Sequence, residues 1–222
     1  MELWVTRLGL VPYRDALSLQ ARVRDRRQAG EIPDSLLLLE HPPVYTKGRR
    51  TEPADLPMAE EWYRERGIAV EETDRGGRVT YHGPGQLVGY PIMRVRSVPE
   101  YVATMERAIV AALSDEGVDA RVVRGMTGVW AGEAKIGSIG VHVSRRVTTH
   151  GFAINVANDL EPFAWVLPCG MQEARMTSVR EETGAGDVDR FAGRVELRFA
   201  EAFGLEPRRV APGRLEGEPI AA

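Results

Sequence analysis

Cysteine is almost missing from this sequence: Cys169 is the one thiol in 222 residues. A single cysteine excludes an internal disulfide, and alone it cannot build a cysteine-rich zinc or iron–sulfur site. Long apolar runs are missing too. No stretch approaches 18 uncharged apolar residues, so no membrane span is expected. The N-terminal MELWVTRLGLVPYRDAL lacks a basic region followed by an apolar run and does not read as a secretion signal. With so little cysteine, a soluble cytoplasmic protein is expected. Excess charge of one sign is also absent. The formal net charge of −3 supplies no broad field for nucleic acid, so no nucleic-acid partner is expected. The glycine–lysine–serine/threonine ending of a phosphate-binding loop, GxGxxG, HExxH and GxSxG are all lacking. His41, His82, His142 and His150 are the complete histidine set, and none has metal-ligand spacing.

The chain is long enough to bury a substantial core, and its 43% hydrophobic and 27% charged content is that of a globular protein. Leu3–Thr6 reads as a strand, and Val11–Gln28 as a helix with a basic end, stopped by Gly30. The continuous apolar run Ser35–Glu40 reads as a strand buried on both faces, followed by a short strand at Val44–Thr46. Residues 47–57 read as loop and 58–66 as a short helix. Ile68–Glu72 and Arg78–Tyr81 read as strands around a Gly76-Gly77 turn, and Leu87–Val95 as a strand bent by Pro91. Ser97 and Glu100 open the clearest helix, whose apolar face carries Val98, Val102, Met105, Ile109, Ala112 and Leu113. Val129–Ile136 and Ile139–Val143 suggest a hairpin turning at Gly132-Glu133, with a further strand at Thr148–Val156. Asp187–Phe203 reads as a terminal helix. Residues 206–222, rich in Pro, Gly and Arg, read as a flexible tail after a domain spanning 1–205. Several neighbouring strands lack long intervening helices. The expected fold is therefore one α/β (α+β) domain with a mixed β-sheet and flanking helices.

Four segments carry chemistry. Arg75–Gln86, with its five glycine and proline residues, offers tight turns and exposed N–H groups that can approach a ligand or an oxyanion. Lys135-Ile136-Gly137-Ser138-Ile139-Gly140 surrounds a lysine with small and apolar neighbours, which favours its burial. Thr149–Asn155 sets polar groups beside small residues. Pro168-Cys169-Gly170 holds the thiol. A thiolate is a strong nucleophile, and a nearby cation lowers its pKa. Spacing alone does not pair Lys135 with Cys169. A cysteine acyltransferase, a cysteine hydrolase and an inert buried cysteine all remain open at this level.

Taken together, Arg75-Gly76-Gly77, Thr80–Pro91 (TYHGPGQLVGYP), Gly128-Val129-Trp130, Lys135-Ile136, Ile139-Gly140-Val141, Thr149–Val156, Pro168-Cys169-Gly170 and Thr177-Ser178 resemble the octanoyltransferase family, also called lipoyl(octanoyl) transferase or lipoate-protein ligase B. The resemblance covers most of residues 1–205. It implies a fold similar to biotin and lipoate protein ligases. It further implies transfer of octanoyl from octanoyl–acyl carrier protein to a specific lysine of a lipoyl domain, in dehydrogenase complexes or the glycine cleavage H protein. By the same resemblance no cofactor is needed, because the donor is already a thioester. That feature separates it from an ATP-dependent lipoate ligase, and the acceptor lysine separates it from a thioesterase. Carried over residue by residue, Cys169 matches the family's nucleophile and Lys135 its activating lysine. Arg75, Gly76, Gly77, Arg78, Val79, Thr80, Tyr81 and His82 match its first substrate-binding segment. Ser138, Ile139 and Gly140, and Gly151, Phe152 and Ala153, match the other two, with His150 in support. Because acyl carrier proteins are acidic, Arg24, Arg26, Arg27, Lys47, Arg49, Arg50, Arg145 and Arg146 are docking candidates, set against an ordinary solvated surface.

Overall fold

A computed structural model describes residues 1–166 and 175–217. Eleven strands and six α-helices occur among these residues. The strands are β1 (Glu2–Leu10), β2 (Asp34–Glu40), β3 (Val44–Lys47), β4 (Ala69–Glu72), β5 (Thr80–His82), β6 (Gln86–Ile92), β7 (Ala120–Val123), β8 (Met126–Ala131), β9 (Ala134–Ser144), β10 (Val147–Asn155) and β11 (Glu206–Arg209). The helices are α1 (Tyr13–Ala29), α2 (Glu60–Arg64), α3 (Val98–Ser114), α4 (Val179–Thr183), α5 (Val188–Phe203) and α6 (Pro212–Glu216). The main sheet runs β11-β1-β2-β6-β10-β9-β8-β7, and a small sheet runs β4-β3-β5. The β11–β1 and β1–β2 pairs are parallel and every other pair in the large sheet is antiparallel, so the sheet is mixed. No helix among the described residues is long and apolar enough to cross a membrane.

Two apolar layers flank the large sheet. Along β2, Leu36 and Leu38 enter a core with Met105 and Ile109 of α3 and Phe191, Val195 and Phe199 of α5. Leu37 and Leu39 point the other way, to Ala16, Leu19 and Val23 of α1. Alternation on a strand therefore explains the unbroken leucine run: each neighbour serves the opposite core, and each buried side chain contributes about 1.5–3 kcal/mol. Helix boundaries follow local chemistry. Gly30 ends α1 in the left-handed region, and the hydroxyl of Ser97 accepts from Glu100 N at the start of α3. Val98 of the predicted α3 face is 39% exposed, because it occupies the first turn, outside the layer made by Met105 and Ile109.

Pro91 lies inside β6, a central strand, where proline would normally leave a gap in the ladder. The registered β6–β10 pairs end at Gly89–Phe152. Beyond them the Pro91 carbonyl accepts from Thr148 Oγ1 at 2.7 Å. The proline nitrogen, on the same edge as its carbonyl, therefore faces a stretch where no strand partner awaits a donor. Gly151 is needed at this point. A Cβ there would overlap Gly89 O and press on Pro91 Cδ.

Three segments differ from the sequence-based expectation. β4 and β5 do not pair with each other around Gly76-Gly77. Both flank β3, one parallel and one antiparallel, since the 73–79 loop is pinned to β3 and β9 instead. Residues 120–123, given no element from sequence, form β7 and pair with β8. Residues 206–217, read as a flexible tail, add β11 to the edge of the sheet and bury Leu215 of α6 against α1, with Arg26 donating to the Arg214 and Leu215 carbonyls. Composition rich in Pro and Arg hid one buried leucine and a backbone-paired edge strand.

The packing at Gly151 gives a direct expectation. Gly151→Ala forces backbone movement in β6 and should cost about 1–3 kcal/mol, read as a lower urea midpoint; an unchanged midpoint would show that the two strands are free to separate.

Candidate active site

The cavity is made by what β9 and β10 do not carry. Ser138 pairs with Ala153 and Gly140 pairs with Gly151, so two adjacent strands present four small residues on the sheet face that α1 partly covers. Val88 and Tyr90 of β6 continue that face. Ile139 and Phe152, alternating with them, turn into the opposite core. The result is a cavity of about 550 Å³.

Lys135 reaches this face through a bulge. β8 and β9 pair as Val129–Gly137 and then Trp130–Lys135, so Ile136 is an extra residue. Strict alternation from Ser138 and Gly140 would turn Lys135 into the α3–α5 core. The extra residue takes that role instead, with Ile136 fully buried there, and Lys135 lines the cavity at 3% exposure. Gly128, at φ +123°, leaves room for the lysine stem, since a Cβ there would stand 2.8 Å from Lys135 Cε. Lys135 Nζ stands 5.8 Å from the Trp130 ring centroid. On its other edge the Lys135 backbone pairs with the returning chain: Lys135 N donates to Arg175 O (2.8 Å), and Thr177 N donates to Lys135 O (3.0 Å).

The 75–79 loop forms a wall. Arg75, buried, donates from its guanidinium to Thr46 Oγ1, Thr46 O and Gly76 O. Gly76 N donates to Val141 O (3.0 Å), while Arg49 N and Arg50 N donate to Arg75 O and Gly77 O. The loop is thus sewn to β9 on one side and to the 48–51 turn on the other. Arg78 is held at the cavity rim by Asp55 and Glu52, each 2.8 Å away.

Of the sequence-derived substrate segment, Arg75, Gly76, Gly77, Arg78, Val79, Thr80 and His82 line the cavity together with Lys135, Ser138, Ile139, Gly140, His150, Gly151, Phe152 and Ala153. Tyr81 does not. It alternates with Thr80 and His82 on β5 and packs between Tyr45 and Phe163 in a separate aromatic cluster. Cys169 lies outside the described residues. Three residues not singled out from sequence join the site. Tyr13 and Tyr90 line the cavity, and His41 links to both, accepting from Tyr90 OH (2.7 Å) while its ring stands 5.1 Å from Tyr13. The breaker Pro42-Pro43 after His41 was the visible signal that the chain turns there, but nothing local showed what the imidazole meets.

His41, His82 and His150 are held neutral. Burial lowers His41 to about 4, and its Nδ1–H donates to Val11 O. Burial drives His82 far below the usual histidine value, leaving Nδ1–H to donate to Gln86 Oε1 (2.7 Å). Gln86 Nε2 passes the chain on to Asn155 Oδ1 (2.9 Å), and Asn155 Nδ2 to Thr177 O (3.0 Å), beside Lys135. His150 is left-handed at φ +57°, a strained state for a residue with a Cβ. Two bonds hold it: its N–H donates to Gln20 Oε1 (2.7 Å), and Nε2 meets Asp74 Oδ1 at 2.6 Å. Burial lowers His150 against the opposing pull of Asp74. Asp74 itself drops to about 2, chiefly through that hydrogen bond. A neutral, Nε2-protonated His150 beside an ionised Asp74 is the arrangement at neutral pH. No group of three or more metal-ligating side chains occurs among the described residues.

Comparison with known proteins now places the chain. A family model described as the lipoyl protein ligase A/B catalytic domain matches residues 12–200. An octanoyltransferase of Solibacter usitatus is 44% identical over 203 residues, covering 90% of this chain and 92% of that one. The chain belongs to the octanoyltransferase family. It is accordingly an enzyme, a transferase. Its fold is similar to a bi-partite lipoate protein ligase from Thermoplasma acidophilum, described with its E2 lipoyl domain, at TM-score 0.77 and 18% identity, covering 97% and 91% of the two chains. It is also similar to biotin protein ligase from Aquifex aeolicus, at TM-score 0.53 and 14% identity over 91% and 70%. The expected fold class is the one observed.

The neutral histidines carry a pH signature. The unfolded chain gains protons as pH falls below about 6.5, whereas native His41 resists until about 4. Stability is therefore fully present above the unfolded value and is lost as pH falls through this window. His41 alone accounts for about 3 kcal/mol, an order-of-magnitude figure, and His82 acts in the same direction. Urea unfolding between pH 7 and pH 4 should show a steadily falling free energy; a flat profile would contradict buried neutral imidazoles.

Proposed function

We propose that this enzyme transfers an octanoyl group from octanoyl–acyl carrier protein to a specific lysine of a lipoyl domain, through an octanoyl thioester on Cys169. The observation that carries the reading is the placement of Lys135. It is a buried lysine in a cavity lined by three segments characteristic of the family, and its backbone is paired to Arg175 and Thr177. Cys169 precedes Arg175 by six residues, a span of at most about 20 Å when fully extended. Chain connectivity thus permits the thiol to meet the lysine.

The reaction is two acyl transfers. In the first, the Cys169 thiolate attacks the thioester carbonyl carbon. A carbon–sulfur bond to Cys169 forms, the bond to the carrier sulfur breaks, and the Lys135 ammonium protonates the departing thiolate. In the second, the neutral amine of the acceptor lysine attacks the octanoyl-Cys169 carbonyl. An amide forms, the Cys169 thiolate leaves, and the Lys135 amine takes the proton released by the attacking nitrogen. Each half-reaction restores what the other consumed. The carbonyl oxygen carries negative charge at both crossings and needs donors, which backbone N–H groups of the glycine-rich wall can supply. His82 and His150 are read as fixed wall groups rather than bases: Gln86 and Asp74 orient the two rings, and burial lowers the basicity of both. The apolar part of the acyl chain gains about 0.8 kcal/mol for each buried methylene, over the Ser138, Gly140, Gly151 and Ala153 floor and against Val79 and Val88. The donor arrives already activated, so no nucleotide enters the scheme. The acceptors on this reading are the lipoyl domains of dehydrogenase complexes and the glycine cleavage H protein.

Transfer to a lipoyl domain should proceed from octanoyl–carrier protein with no ATP present. Cys169→Ser should abolish it. Lys135→Ala should lower kcat by about 10²–10⁴-fold with the fold intact by circular dichroism. Retained transfer in Cys169→Ser, or a strict ATP requirement, would overturn the scheme.

A further inference from the structure

The arginines around the cavity mouth differ from most others in this chain. Arg14, Arg22, Arg26, Arg27, Arg190 and Arg198 are each committed to a carboxylate. Arg50 lines the cavity and is exposed, as is Arg49 beside it. Both project from a turn fixed by backbone bonds to Arg75 and Gly77. Across the cavity the β7–β8 turn contributes Gly125, Met126 and Thr127 to the lining, with exposed Arg124 immediately before them. None of these three guanidinium groups has an ion-pair or hydrogen-bond partner among the described residues. Glu52, the carboxylate among the cavity-lining residues, is already taken by Arg78. The same hairpin exposes Val122 (44%) and Met126 (36%), two apolar side chains beside the cationic turn.

We infer that this rim, Arg49 and Arg50 on one side and Arg124 with Val122 and Met126 on the other, docks the acyl donor rather than the acceptor. The inference rests on the octanoyl-transfer reading above. A carrier protein presents its thioester on an arm joined through a phosphodiester, and an acidic surface surrounds the attachment point. Guanidinium groups match both: they bind phosphate in a bidentate fork and steer an acidic protein at long range. The acceptor offers no phosphate: its reacting group is an amine that arrives from water as a cation, which a guanidinium fork does not hold. The second basic surface, beside Arg24, Arg94 and Arg145, is less suited. Arg24 there is held by Asp25 and Arg94 by carbonyls at the end of α1.

The test uses two donors with one acceptor: octanoyl–carrier protein, and the octanoyl thioester of N-acetylcysteamine, which has neither phosphate nor protein. The Arg49→Glu/Arg124→Glu double variant should lose about tenfold or more in kcat/KM for the carrier donor and flatten its salt dependence, while staying within about twofold on the small thioester. The KM for the lipoyl domain should not rise. Equal losses on both donors, no loss on either, or a raised acceptor KM with an unchanged donor KM would each overturn the assignment. If the wild-type protein transfers from neither donor, the octanoyl-transfer reading itself fails. If it transfers normally and the double variant does not discriminate, the docking rim alone fails.

Discussion

The site depends on a floor of small side chains across two paired strands. Ser138 and Gly140 on β9 stand opposite Ala153 and Gly151 on β10, so one face of the sheet is bare where its other face is packed with Ile139 and Phe152. A sheet can leave such a void only if neighbouring structure supports the edges. Here the 75–79 loop, tied to Val141 and to the 46–50 turn, supplies the wall, and α1 supplies Tyr13. The bulge at Ile136 then completes the site. By inserting one residue it lets an isoleucine fill the α3–α5 core and a lysine face the cavity, although the two are adjacent in sequence.

Around the floor, the imidazoles of His41, His82 and His150 are buried and hydrogen-bonded, which fixes their orientation. His41 accepts from Tyr90. His82, Gln86 and Asn155 form a chain that ends on the backbone beside Lys135, and His150 is braced by Gln20 and Asp74. Such networks are costly when incomplete and specifying when complete. The strained backbone of His150 belongs to the same design: a helix side chain and a loop carboxylate hold it at the cavity wall. Lys135 stands inside the cavity, and arginines stand at its mouth.

Much of this was legible in the sequence, for identifiable reasons. The leucine run of β2 and the capped start of α3 announce themselves through alternation and Ser97. The motif segments around Arg75, Lys135 and His150 could be carried over by resemblance, and the structure brings their residues together around one cavity. Other features were not legible because they are relations between distant elements. Tyr81 shares a motif with its neighbours but, on a strand, must face the opposite way. The burial of Lys135 depends on a bulge whose register is set by β8. Gln20 looks like an ordinary interruption of the α1 apolar face until His150 N is found donating to it. β11 and α6 hold few apolar residues and fold onto the domain through backbone pairing and one buried leucine.

The central claim is that the acyl chain lies over the Ser138–Gly140–Gly151–Ala153 floor, with its carbonyl end beside Lys135. A crystal structure of the protein after reaction with octanoyl–carrier protein tests it most directly. The account predicts octanoyl density on that floor, against Val88, joined to Cys169. Density for the chain outside that cavity, or attachment at any other residue, would contradict it.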